Sequence, residues 1–108
     1  MIAPHYIIEH ICTATGNTPA SITSAKRNYM FVLPRFMIFF CLKKYCNMAD
    51  VNIGELFNMT ENSIRYALES SDRMIYDKVR GKQKELFSIN LSEAIKHFDM
   101  IEMMNKFN

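Results

Sequence analysis

Tryptophan is absent from this chain of 108 residues, and glycine and proline occur only three times each. A sheet protein turns often and places both residues at its turns, so their scarcity excludes a many-stranded architecture and favours helices with few connections. Cysteine is equally sparse. Cys12, Cys41 and Cys46 form an odd set within apolar or helical stretches. They make neither a disulfide framework nor a zinc site, and reduced, mostly buried thiols in a cytoplasmic protein are expected. Long apolar runs are missing too. The most apolar stretch, "FVLPRFMIFFCL", contains Arg35 and is well short of the roughly 20 residues that span a bilayer. "MIAPHYIIEH" has no basic segment leading into an apolar run, so no signal peptide and no membrane partner are expected.

What the chain has in quantity is apolar mass: 49% hydrophobic residues, including eight Phe and nine Met. One domain of this length can bury a real core. The expected fold is all-α, a compact bundle of about five to six helices over residues 1–108. The formal charge of +2 is small, but it is unevenly spread. Ser24 to Cys46 carries Lys26, Arg27, Arg35, Lys43 and Lys44 and no acid. Asp50 to Asp72 carries five acids against Arg65 alone, and Arg73 to Lys84 is basic again. Two basic blocks flanking an acidic segment could grip phosphates on either side of an inserted helix, or be ordinary solvated faces.

Periodicity places the elements. "PHYIIEHICTATG" repeats Tyr6, Ile7, His10 and Ile11 at helical spacing and stops at Gly16. Thr18 is expected to cap a short helix with Pro19 at its first position, leading into a basic connection. "YMFVLPRFMIFFCLKKY" is apolar nearly all round, as a central helix must be. Within it Pro34 should restrict the first turns or introduce a kink, and Lys43 and Lys44 suit the negative end of the macrodipole. Asp50 is expected to cap "VNIGELF", and Thr60 to cap "ENSIRYALESSDRMIY". In that helix Ile64, Ala67, Leu68, Ser71, Met74 and Ile75 share one face, opposite Glu61, Asn62, Arg65, Glu69 and Asp72. "DKVRGKQKE" is expected to be a polar connector. Ser92 is then expected to cap a last helix with Ala94, Ile95, Phe98, Ile101 and Met104 on its apolar side.

The stretch "VNIGELFNMTENSIRYAL" fits a helix-turn-helix, whose geometry demands particular residue types. Helices that cross closely need one small residue, here Gly54. The reversal needs a residue that tolerates left-handed backbone, here Asn58. Ile53, Phe57, Met59, Ile64 and Ala67 are the apolar plugs of the angle. Helical bundles also produce this pattern without touching DNA.

A wider stretch carries a resemblance. "SAKR" stands at a basic loop, "PRFMIFFCLKK" opens a long helix, "NIGELF" follows it, and "NSIRYA" closes the segment. Together they resemble the C-terminal, DNA-binding domain of the bacterial replication initiator DnaA, over about residues 6 to 75. The family's "G-R-D-H-T-T" segment is replaced by the shorter "NMTENS", so its base-reading Asp-His pair is absent and Thr60, Glu61 and Asn62 occupy the neighbourhood. There is no "G-x-x-x-x-G-K-[ST]" phosphate loop. The resemblance therefore implies a Trp-repressor-like helix-turn-helix without the ATPase module. It implies a stand-alone, nucleoid-associated protein of bacterial or phage replication or transcription control, with double-stranded DNA as partner. Residues 76–108 lie outside it and are expected to pack or to dimerise.

On that basis the candidate recognition residues are Thr60, Glu61, Asn62, Ser63, Arg65 and Tyr66. Arg65 can read guanine or hold a phosphate, Asn62 can pair with adenine, and Thr60 and Ser63 can meet phosphate at the helix N-terminus. Against these stand an Arg65 ion pair with Glu61 or Glu69, and simple capping by Thr60 and Ser63. Lys26, Arg27, Arg35, Lys43 and Lys44 are the candidate phosphate contacts. His5, His10 and His97 share no ligand spacing and are expected at the surface or half-buried. No arrangement suited to acid–base or covalent catalysis is present. A non-enzymatic protein with no cofactor, metal or small-molecule substrate is expected. The alternative function keeps the fold and uses the acidic segment and the Met-rich end "FDMIEMMNKF" for a protein partner or a second copy.

Overall fold

The computed structural model describes residues 2–24, 32–76 and 82–106. Among them are six α-helices and no strand: α1 (Pro4–Thr15), α2 (Pro19–Ile22), α3 (Val32–Cys46), α4 (Asp50–Phe57), α5 (Glu61–Tyr76) and α6 (Lys82–Lys106). The all-α expectation therefore holds.

The first two helices end and begin where local chemistry demands. Gly16 takes the left-handed conformation (φ 74°, ψ 27°) beyond α1, and the Asn17 N–H donates to the Cys12 carbonyl at 2.8 Å. This closes the helix as a glycine cap does. Thr18 is extended and its Oγ1 accepts the Ser21 N–H at 3.2 Å, with Pro19 at the first helical position. Both expectations hold.

α3 is the hub, packed against α1, α4, α5 and α6. Met37, Ile38, Phe39, Cys41, Leu42 and Tyr45 are buried, and at 100° per residue these positions cover more than half of the helix circumference, with the exposed Lys43 and Lys44 on the remainder. So wide a buried face fits a helix packed against four others. Pro34 lies third in α3, within a first turn that tolerates the missing N–H. Residues 29–31, which the periodicity joins to this helix, lie outside the described residues.

α4 and α5 meet at a corner. Ile53, Phe57 and Ile64 are 2% exposed or less and Ala67 is 1% exposed; Met59 is half-buried. Asn58 is left-handed (φ 54°, ψ 42°), and the Met59 N–H donates to the Gly54 carbonyl at 2.9 Å. Thr60 caps α5 through the Ser63 N–H at 3.2 Å. One boundary needs correction. The residue before α4 is Ala49, extended and without a side-chain cap. Asp50 is instead the first helical residue, where its carboxylate suits the positive helix end and binds Lys43 Nζ at 2.9 Å. The side chains of Ser71, Asp72, Met74 and Ile75 lie outside the described ones.

The larger correction is α6. It is already helical at Lys82 and runs through Ser92, which therefore caps nothing. Leu91 is buried in phase with Ala94 and Phe98. That apolar stripe carries the helix across Ser92, which stays exposed and needs no capping role. Of the expected connector, residues 77–81 lie outside the described residues, and the rest is helix.

Candidate functional site

The corner turns the first two turns of α5 outward. Ile64 and Ala67 anchor the helix from behind, while Thr60, Glu61, Asn62, Ser63, Arg65 and Tyr66 are all exposed, Tyr66 by 65%. All six recognition candidates are thus accessible to solvent.

The polar groups of Thr60, Glu61, Asn62, Ser63 and Arg65 have partners among themselves. Arg65 Nη2 lies 3.1 Å from Glu61 Oε1, and Arg65 Nη1 donates to Asn62 Oδ1 at 3.3 Å. The Thr60 hydroxyl donates to Ser63 Oγ at 2.9 Å while accepting the Ser63 N–H. Arg65 and Glu61 are each about half exposed, so their ion pair is screened and worth only a few tenths of a kcal/mol. A ligand can break it at little cost. With Glu69 also exposed, the described side chains of this helix include two acids, Glu61 and Glu69, against Arg65.

The described basic candidates, Arg35, Lys43 and Lys44, each meet a different neighbour. Lys26 and Arg27 lie outside the described residues. Arg35 ties the start of α3 to the end of α2: its Nε donates to the Ile22 carbonyl at 2.8 Å and its Nη2 to the Ser24 carbonyl at 2.7 Å. Burial also pulls its pKa down. A guanidinium so engaged holds the end of α2 and the residues just after it against the start of α3. Lys43 is exposed but paired with Asp50. Lys44 is exposed, with its Nζ 5.7 Å from the centroid of the Tyr45 ring.

One cluster had no sequence signal. His10 of α1 and His97 of α6 stack with ring centroids 4.1 Å apart and planes 6° from parallel. The Tyr6 hydroxyl lies 3.1 Å from His97 Nε2, and Phe98 meets both imidazoles edge-on. Beside them the Tyr45 hydroxyl donates to Asp99 Oδ1 at 2.7 Å and to the Ile95 carbonyl at 3.2 Å. Burial first, and the carboxylate bond next, raise the Tyr45 pKa. This cluster moors α6 to α1 and α3. Neither histidine is near the other in the chain, so no spacing rule could pair them. Among the described residues no three His, Cys, Asp or Glu side chains are placed to hold a metal ion.

Burial, and then the charge of His97, lower the His10 pKa below 6.5. As pH falls, the unfolded chain therefore takes up this proton before the folded one does. The contribution to stability is intact above about pH 6.5 and is lost as pH falls below it. Urea unfolding at about pH 7.5 and 5.5 should show lower stability at the acidic value, and His10→Phe should reduce that difference. An unchanged difference in the variant would assign it to other groups.

The three cysteines are free, with Cys12 and Cys41 buried and Cys46 half-buried. Burial raises all three pKa values, and Cys41, next to Cys46, is pushed up to about 12. Thiols held protonated are poor nucleophiles. Among the described residues no helix is long and apolar enough to cross a membrane.

Comparison with known proteins gives no matching family model, no matching curated protein and no matching solved structure. The DnaA resemblance accordingly rests on the quoted residues alone.

Proposed function

We propose that this protein binds double-stranded DNA through a helix-turn-helix made by α4 and α5, with α5 entering the major groove. The observation that carries this reading is the outward face of α5, where six side chains capable of hydrogen bonding are exposed on a helix braced by buried Ile64 and Ala67. Rigid presentation of such a face is what direct readout requires. Arg65 leaves Glu61 for a guanine edge or a phosphate, Asn62 pairs with adenine, and Thr60 and Ser63 meet the backbone. Lys26, Arg27 and the exposed Lys43 and Lys44 supply phosphate contacts, while Arg35 holds the end of α2 against the start of α3. The resemblance adds a role as a stand-alone DnaA-domain-like protein in replication or transcription control.

The test is an anisotropy titration against random duplex DNA at two salt concentrations. Affinity should fall steeply with salt, by about 0.9 in the log–log slope per phosphate neutralised. Arg65→Glu should weaken binding at least about tenfold, since it replaces an attraction by a repulsion. A folded Arg65→Glu variant that binds as well as the parent would remove α5 from the interface.

A second reading is favoured by the Glu61–Arg65 pair and by Glu55 and Glu69, which leave the outward surface acidic. On that reading the fold is kept and the α4–α5 face binds a basic protein surface. Absence of DNA binding at low salt by folded protein would select it.

A further inference from the structure

α6 carries two apolar faces. The inner one, Leu91, Ala94 and Phe98, is 5% exposed or less. The outer one is made of Ile89, Met100, Met103 and Met104, which are 53%, 62%, 61% and 59% exposed. At 100° per residue these four positions cluster opposite the inner stripe. Between them on the same outer face lie two exposed charges, Glu93 and Lys96. Scattered apolar side chains are ordinary on a surface, but a stripe down one face of a helix marks an interaction site.

We propose that this face pairs with its own copy, two α6 helices packing antiparallel about a two-fold axis. Charge complementarity selects the occupant. A two-fold axis crossing α6 midway between Glu93 and Lys96 sets Glu93 of each copy opposite Lys96 of the other. The same point is also midway between Ile89 and Met100, so those two side chains face each other reciprocally. One register thus satisfies both the charges and the Ile89–Met100 contact, as an isologous interface must. A parallel pairing in register would instead oppose Glu93 to Glu93 and Lys96 to Lys96, which is repulsive. The inner face is undisturbed, because Leu91, Ala94 and Phe98 remain in each copy's own core. Met100 supplies a flexible side chain that can adapt to Ile89 across the seam. This inference does not depend on DNA binding.

The test uses sedimentation of the full chain and of two charge reversals, Glu93→Lys and Lys96→Glu. Both sites are exposed, so folding should be retained, and circular dichroism checks it. The parent should sediment as a dimer at micromolar concentration. Each single variant places like charges in both symmetric contacts and should weaken the dimer at least about tenfold. Mixing the two single variants should recover dimer, because one chain then presents a pair of carboxylates at these positions and the other a pair of ammonium groups. The double reversal should also recover it. A monomeric parent would overturn the proposal. So would single variants that dimerise like the parent, or a mixture that stays monomeric.

Discussion

Replacing Phe57 by alanine is expected to destabilise the protein by about 3–5 kcal/mol, the range for truncating a fully buried aromatic. Phe57 is the last residue of α4 and 2% exposed. Its ring meets Phe39 of the central helix edge-on, at 4.8 Å between centroids and 86° between planes. Two losses combine: the transfer of the ring to water and a cavity lined by Phe39 and its neighbours. Domains of this size have total stabilities of about 5–15 kcal/mol, so the loss is a large share of the whole. Urea unfolding followed by circular dichroism measures it, and a double-mutant cycle with Phe39→Ala isolates the ring–ring contact, about 0.5–1.5 kcal/mol of coupling. A cost below about 1 kcal/mol would mean that the corner closes over the gap, contrary to a tightly packed core. Because Phe57 directly precedes the left-handed Asn58, the same variant should loosen the α4–α5 angle and with it any ligand binding by α5.

Gly54→Ala carries the second large effect, and its sign depends on two opposing magnitudes. In an open helix this exchange stabilises by about 1 kcal/mol, through the better helix propensity of alanine. At Gly54, however, an added Cβ would lie 2.5 Å from the backbone oxygen of Met59 and 3.4 Å from its carbonyl carbon. The obstacle is backbone, which no rotamer change removes. The Met59 N–H that donates to the Gly54 carbonyl holds that backbone in place. Relief requires moving the turn, at about 1–3 kcal/mol for overpacking. Net destabilisation is expected, together with displacement of α5, read as a lower unfolding midpoint and altered amide shifts from Met59 to Ile64. A neutral or stabilising result would show that α4 and the turn after it do not approach this closely.

The parts of the fold legible in the sequence are those decided within a few residues. Gly16 and Asn58 take left-handed backbone because glycine and asparagine tolerate it, and both stand where periodicity breaks. Thr18 and Thr60 cap helices because a hydroxyl three residues before a free N–H is a local geometric fact. Gly54 was legible for a related reason, since a close crossing excludes any larger side chain. The exposure of Arg65 and Tyr66 on α5 follows from the 3.6-residue period, because Ile64 and Ala67 are the apolar positions of that turn.

Other features depend on which side chains meet across the bundle, and no spacing along the chain encodes that. Ser92 has the chemistry of a cap, yet burial of Leu91, Ala94 and Phe98 carries α6 straight through it. Arg35 has the chemistry of a phosphate contact, yet the carbonyls of Ile22, the last residue of α2, and of Ser24 just beyond it engage its guanidinium. His10 and His97 are unremarkable separately and become a stacked pair only when α1 and α6 are brought together. Backbone geometry and the period of apolar residues were enough to set the helical class, most caps and the sharp corner, and both are written in the order of residues. Which charges remain available and which apolar faces stay open was set by assembly, because burial and pairing are properties of the finished surface.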